Sequence, residues 1–309
     1  MTLTQLEYVV AIANNGSFGA AAEKCFVTQP TLSMQIQKLE EELGMRLFDR
    51  SRKPVVATDT GKAIIEQARR TLSESKKIRE IANDSQEKIE GELRIGVIPT
   101  VAPYLLPLFL VEFVKKYPQL RVSISENNTE QIVNKLKEGS LDAGILATPL
   151  EESQIRERPL YYEAFVAYLH VGHHLAKHTT VKTEMLHGED IWLLDEGHCL
   201  RTQILNLCQH TTRAMPNLNY QTGSVETLKR IVEITGGLTI LPELAIKEYG
   251  PIQLDSVRYF RSPEPVREIS LITHRNMVKE KALKLLEEAI REVVPERMRA
   301  KKDRKRVKI

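Results

Sequence analysis

Thr28-Gln29-Pro30-Thr31-Leu32-Ser33-Met34-Gln35-Ile36-Gln37-Lys38-Leu39-Glu40-Glu41-Glu42 reads as one helix with a marked start. Thr28 is a capping residue, and Pro30 falls in the first turn, where a missing amide costs nothing. Leu32, Ile36, Leu39 and the following Leu43 fall on one face, leaving Gln29, Thr31, Ser33, Gln35 and Lys38 on the others. Upstream, Leu3, Leu6, Val10 and Ala13 recur at helical spacing, Gly16-Ser17 breaks the run, and Ser17 caps a short helix through Cys25. Helix, short helix, tight turn, helix is the order of a helix-turn-helix, which lays the start of its second helix in the major groove. There Gln pairs with adenine and Ser or Thr contacts either base. The competing reading is a polar solvent face. Against it, Arg46, Arg50, Arg52 and Lys53 precede Pro54 and the short apolar Val55-Val56-Ala57, a wing placed to reach phosphates.

Farther along, Ile65, Ala68, Leu72, Ser75, Ile78 and Ala82 recur at three- and four-residue spacing, predicting one long helix over 59–90. A stripe on a helix outside a compact core needs a partner, and its own copy is the simplest, so homodimerisation is expected. After Gly91 the texture changes. Strand-like Leu93–Ile98, a helix from Leu106 to Lys116, a strand at Arg121–Ser125, a helix from Thr129 to Glu138 and a strand at Ala143–Leu146 predict a parallel α/β sheet. A second α/β lobe spans 164–265, with strand-like Ile191-Trp192-Leu193-Leu194 and Thr239–Pro242 and a helix at Ser224–Thr235. The chain then returns to the first lobe (91–163 and 266–296) through Ile269–Ile272. Ligands of open α/β sheets bind beyond the carboxyl ends of strands, which marks Pro99-Thr100, Asn127-Asn128-Thr129 and Glu196-Gly197-His198-Cys199.

The chain has 309 residues, three cysteines and a formal charge of +3. Residues 297–309 carry eight basic side chains and one acidic one, so the rest is net acidic, and global charge names no partner. This basic tail has no apolar pattern and is expected to be solvated. No apolar run reaches the roughly 18 residues that would span a bilayer, and the start is amphipathic rather than a signal peptide. A cytoplasmic protein without membrane contact is therefore expected, and stable structural disulfides are rare in that compartment.

Cys199 is the candidate reactive thiol. His198 precedes it, Arg201 follows, and nearby positive charge favours the nucleophilic thiolate. In a helix beginning there, Leu200, Ile204 and Leu207 form an apolar stripe with Cys208 beside it, so Cys199 is expected to face out and Cys208 in. The two would lie about 13 Å apart along the axis, whereas a disulfide needs Cα atoms about 4.4–6.8 Å apart. A bond between them requires the segment to refold. Two other readings stand: small buried hydrophobes, or a zinc site with His198 and His210, whose spacing fits no common pattern. Cys25, one turn after Ala21 and Ala22, is expected in a packed core. No metal or cofactor is expected.

The first sixty residues resemble the winged helix-turn-helix of LysR-type transcriptional regulators. The pattern is carried by Phe18-Gly19-Ala20-Ala21-Ala22, Thr28-Gln29-Pro30-Thr31-Leu32-Ser33, Gln35-Ile36, Leu39-Glu40, Leu43-Gly44, Leu47-Phe48-Asp49-Arg50 and Thr58-Asp59-Thr60-Gly61. The resemblance implies a DNA-binding domain over 1–58, a linker helix over 59–90 and a two-lobed, periplasmic-binding-protein-like effector domain over 91–296. It implies that Gln29, Pro30, Thr31, Ser33 and Gln35 face the groove of double-stranded operator DNA, with Arg50 and Arg52 holding the wing to the backbone. Met34 departs from the family, which often places a basic or small polar residue there. Asp195-Glu196-Gly197-His198-Cys199-Leu200-Arg201 followed by Cys208 is similar to the hydrogen-peroxide-sensing members. That similarity implies Cys199 as the peroxide-reacting thiol, Cys208 as its resolving partner, and Thr100, Thr129 and His198 as peroxide-holding residues. It also implies that Arg267 stabilises the thiolate. Homotetramers, RNA polymerase and a thiol reductant follow as implied partners. The rivals are a LysR-type regulator with a small metabolite between its lobes, a thiol peroxidase, and a free-standing solute-binding protein.

Overall fold

A computed structural model of the chain describes residues 1–84, 89–208, 222–300 and 304–307. It divides into two compact units, the first led by Met1–Glu87 and the second made of Lys88–Lys137 and Leu141–Ile309. In the first, α1 (Leu3–Asn15) opens on a reciprocal cap: Gln5 N–H donates to the Thr2 hydroxyl, and Thr2 N–H donates to the Gln5 side chain. Ser17 caps α2 (Phe18–Lys24) and Thr28 caps α3 (Gln29–Leu43), with Pro30 in its first turn. Leu32, Ile36 and Leu39 are buried with Ala21, Ala22, Leu47 and Phe48. The buried face of α1 is Leu6, Val9 and Ile12, whereas Leu3 is exposed and Val10 and Ala13 are half-buried. The expected stripe is thus displaced around the helix toward Tyr8 and Val9, which are buried in the same core. Cys25 is half-buried rather than a core thiol.

The wing is a two-stranded ribbon, β1 (Phe48–Asp49) antiparallel to β2 (Val56–Ala57). It leads into α4 (Asp59–Asp84), whose start is fixed by Gly61 N–H donating to the Thr58 hydroxyl. Gly61 has no substitute there, since a Cβ would lie 2.1 Å from the Leu47 carbonyl oxygen. Ile65 and Ala68 are buried and Leu72 packs on the same core. The first half of the expected dimerisation stripe therefore serves its own domain. Ile78 is exposed.

The second unit runs β3 (Gly91–Val97), α5 (Ala102–Lys116), β4 (Leu120–Glu126), α6 (Thr129–Lys137), β5 (Ala143–Thr148), β6 (Ile155–Leu169), β7 (Thr180–Val181), α7 (Cys199–Cys208), α8 (Val225–Thr235), β8 (Leu238–Pro242), α9 (Pro251–Leu254), β9 (Val257–Phe260), β10 (Glu264–His274), α10 (Glu280–Val293) and β11 (Arg304–Arg306). Strand order is β4-β3-β5-β10-β6-β9-β7, with β8 also on β6 and β11 on β10. β3, β4 and β5 are parallel, but β10 runs antiparallel to both β5 and β6. The sheet is therefore mixed, not parallel. The reason is topological: β6 and β10 are the two passes between lobes, one outward and one returning. Along β6, Ile155, Leu160 and Tyr161 pack in the first core and Phe165 to Leu169 in the second. Of the strand-like run at 191–194, only Ile191 forms a bridge, to Leu238. Among the described residues no helix is long and apolar enough to cross a membrane.

The basic tail departs most from expectation. β11 pairs in parallel with Glu264–Val266, and Val307 N–H donates to the Val266 carbonyl at 2.8 Å. On its other edge Val266 pairs with Ala164 of β6, so the tail takes the lane that β5 leaves beyond Thr148. Met298 is buried in the first core and Val307 in the second, Arg306 pairs with Glu268, and Arg297 pairs with Glu243. The two apolar anchors are single residues among eight basic ones, which is why no pattern announced them. Deleting residues 304–309 is expected to lower the unfolding free energy by about 1.5–3 kcal/mol, the scale of one buried valine with its strand, and so to lower the urea midpoint. An unchanged midpoint contradicts the docking.

Candidate redox site and nucleic-acid interface

Gly197 adopts φ +91°, turning the chain so that α7 starts at Cys199. The expectation that Cys199 faces out is overturned: it is 8% exposed. Its neighbours explain the difference. α7 belongs to the second lobe, and Leu200, Ile204, Leu207 and Cys208 pack in that lobe's core, but Cys199 packs in the first lobe's core. The face of α7 that sequence assigned to solvent is covered by the opposite lobe. The two thiols are thus held in separate cores at the two ends of one ten-residue helix, and all three cysteines are free.

Of the two cations expected to act on Cys199, the local Arg201 turns away, and Arg267, the one the resemblance implied, is in place. Arg201 donates to the Leu194 carbonyl at 2.8 Å. The cation acting on the sulfur is Arg267, fully buried on β10. Its Nε donates to Glu163 Oε2 at 2.8 Å, Nη1 to the Thr100 hydroxyl at 3.1 Å and Nη2 to the Thr100 carbonyl at 3.0 Å. Glu163 Oε1 in turn accepts Leu244 N–H at 2.8 Å. Burial is the largest influence on Cys199 and pushes its thiol above the ordinary value; Arg267, the Thr129 hydroxyl and the backbone amides of Cys199 and Leu200 pull it back. The Thr129 hydroxyl itself is buried with no hydrogen-bond partner at normal distance, so it faces the sulfur with its bonding capacity free. Among the described residues Cys208 has no such neighbour, and burial pushes it up to about 12. His198 is held below its usual value by burial, with Asp195 opposing, so its ring is neutral. Its ring lies against Gly223, where a Cβ would come within 2.8 Å of Nε2.

Cys199, Arg267, Thr100 and Thr129 are therefore brought together, with His198 next in chain. Glu163 was missed by sequence reasoning, although a lone carboxylate ahead of the apolar Ala164–Leu169 signals a buried cation partner. Gln203, buried one turn after Cys199 with neither amide atom bonded, was missed too. His210, the fourth member of the zinc alternative, lies outside the described residues.

In the first unit, Gln29, Pro30 and Thr31 are exposed and Ser33 is half-buried. Arg50 arches over α3: Nη1 donates to the Ser33 hydroxyl at 3.2 Å, Nη2 pairs with Glu40 at 3.1 Å, and the guanidinium lies 4.7 Å from the Phe18 ring centroid. Arg52 pairs with Asp49. The Gln35 side-chain oxygen accepts from Gln5 at 3.3 Å, which turns it toward α1. Met34 is exposed on α3.

Residues 3–62 match the bacterial regulatory helix-turn-helix protein of the lysR family, and residues 86–295 match the LysR substrate binding domain. The chain belongs to the LysR family. It is 39% identical to the hydrogen peroxide-inducible genes activator of Haemophilus influenzae over 88% of this chain and 90% of the relative. It is 37% identical to the DNA-binding transcriptional dual regulator OxyR of Escherichia coli K12 over 94% and 95%. The full-length OxyR C199D structure from Pseudomonas aeruginosa superposes with a TM-score of 0.78 at 34% identity, covering 95% of this chain and 99% of that one. LysR members are transcription regulators, not enzymes, and the two-lobed α/β effector domain is the family's own.

Proposed function

We propose that this LysR-family protein senses hydrogen peroxide and converts it into a change in operator binding through a reversible Cys199–Cys208 disulfide. The observation that carries the reading is the convergence of Arg267, Thr100 and Thr129 on a buried thiol at a helix start, in a chain similar to named peroxide-inducible activators. The Cys199 sulfur attacks one peroxide oxygen and releases water, its proton passing to the departing oxygen, and the product is a sulfenic acid. The Cys208 thiol then displaces the sulfenic oxygen as a second water, forming the disulfide. Arg267 favours the thiolate, and Thr100, Thr129 and His198 hold peroxide. Return to the dithiol takes a thiol reductant.

Cys199 and Cys208 occupy different cores, so forming the bond withdraws at least one of them and unwinds α7. The test is equimolar peroxide on the reduced full chain: two of its three thiols are lost, amides of Cys199–Cys208 exchange faster, and the operator footprint changes length. Full disulfide formation with unchanged exchange and footprint rejects the switch.

DNA contact falls to Gln29, Pro30, Thr31 and Ser33 in the groove and Arg50 and Arg52 on phosphates, while Gln35, expected in the groove, is held to Gln5 on α1. Arg50→Ala is expected to weaken operator and random DNA alike and to reduce the salt slope by about 0.9, whereas Ser33→Ala alters discrimination among bases. Equal binding by both variants and parent, in a salt titration, removes these residues from the interface. The regulator works in the cytoplasm as a homodimer or homotetramer, with the exposed Ile78 end of α4 available to a second copy, and it acts on RNA polymerase at its promoters.

A further inference from the structure

We propose that His173, His174 and Glu189, in the second lobe, bind a divalent transition-metal ion of the zinc, cobalt or nickel type. Among the described residues this is the one group of three such side chains whose ligand atoms all lie within 4.8 Å of one another. The sequence reading expected no metal and passed over these histidines.

The geometry is close to that of a ligand set. His174 Nε2 lies 2.7 Å from one Glu189 oxygen, and His173 Nε2 lies 3.3 Å from the other. Ligand atoms sharing one tetrahedral ion at about 2.1 Å sit about 3.4 Å apart, so small rotamer shifts suffice. The two rings are already stacked, with centroids 4.7 Å apart and planes at 27°. Both ligand segments are anchored by backbone. His173 N–H donates to the His170 carbonyl, and Glu189 N–H donates to the Leu186 carbonyl.

The chemistry fits the same class of ion. Two imidazoles and a carboxylate form a borderline nitrogen and oxygen set with a fourth position left for water, which suits zinc, cobalt or nickel better than calcium or magnesium. Glu189 supplies the negative charge. One bond opposes entry: Leu175 N–H donates to His173 Nδ1 at 3.3 Å. Coordination through Nε2 puts the ring proton on Nδ1 and releases that bond, which is single and long. The site shares no residue with the Cys199 cluster, so its test is independent of the redox reading.

Cobalt(II) added to the reduced full-length protein is the probe, read by visible absorption, with zinc titrated by calorimetry. Expected is one zinc site whose affinity falls at least about tenfold in both His174→Ala and Glu189→Gln, with His187→Ala unchanged. His174 is largely exposed, so its loss leaves the fold intact. Zinc should also raise the thermal midpoint of the parent and not of either variant. Equal affinity in all proteins overturns the proposal. So does a thiolate-to-cobalt charge-transfer band, which places the ion on cysteine.

Discussion

Replacing Cys199 by serine is expected to reduce peroxide-driven thiol oxidation to the background set by Cys25, because a serine hydroxyl stays protonated and cannot attack peroxide as a thiolate does. Cys208→Ser should leave the first step intact. Among the described residues, burial is the one influence on Cys208, and no charged or hydrogen-bonding neighbour favours its thiolate. In that variant the sulfenic acid at Cys199 therefore persists or proceeds to the sulfinic acid. A sulfenic-acid probe followed by mass analysis separates the two: label in Cys208→Ser, none in Cys199→Ser. Equal loss of label in both variants contradicts the division of labour.

Arg267→Met is expected to cost about 3–5 kcal/mol of stability, because it leaves Glu163 buried without its cation. Adding Glu163→Met should restore most of that loss, since a well-packed apolar pair can replace a buried ion pair. Reactivity should not return with it. Arg267 is one of the influences that pull the Cys199 thiol down against burial, so without it the thiol rises further. Below its pKa the thiolate fraction grows tenfold per pH unit, and the rate of peroxide consumption follows. The rate–pH profile of Arg267→Met, and of the double variant, should therefore lie at higher pH than the parent's. Urea unfolding gives the stability and stopped-flow gives the rate. A double variant that regains both would make Arg267 a structural residue only.

The amino-terminal half of the fold was legible because its signals are local. Caps at Thr2, Ser17 and Thr28 and a Pro in the first turn of α3 act within four residues. In the redox site the exposure of Cys199 and the role of Arg201 were misread for the opposite reason, and Arg267 was reached through the family resemblance rather than through the local run. Whether Cys199 faces solvent depends on the first lobe covering α7, and which cation meets it depends on β10 returning 68 residues later. Adjacent Arg201 looked like the partner, yet it turns to a backbone carbonyl. The tail failed similarly. Strand pairing of 304–306 with 264–266 is decided by an open lane on β10, which periodicity in the tail itself does not encode. Alternating strands and helices say parallel, which holds for β3, β4 and β5, but β6 and β10, which leave a lobe and come back, oppose each other and make the sheet mixed.

In the proposed disulfide switch, the separate seating of the two thiols gives the pair a set-point. Reduction potential follows the free-energy difference between dithiol and disulfide states, about 30 mV for each 1.4 kcal/mol. Here the dithiol state includes an intact α7 with Leu200, Ile204, Leu207 and Cys208 packed in the second lobe. Each of those contacts favours the reduced form and makes the couple more oxidising. A cavity of one methyl group at Ile204, worth about 0.5–1.5 kcal/mol, would move the midpoint by roughly 10–30 mV toward easier oxidation. The threshold at which this protein responds is therefore written in apolar side chains that never meet an oxidant, and it is tunable by packing without touching either sulfur.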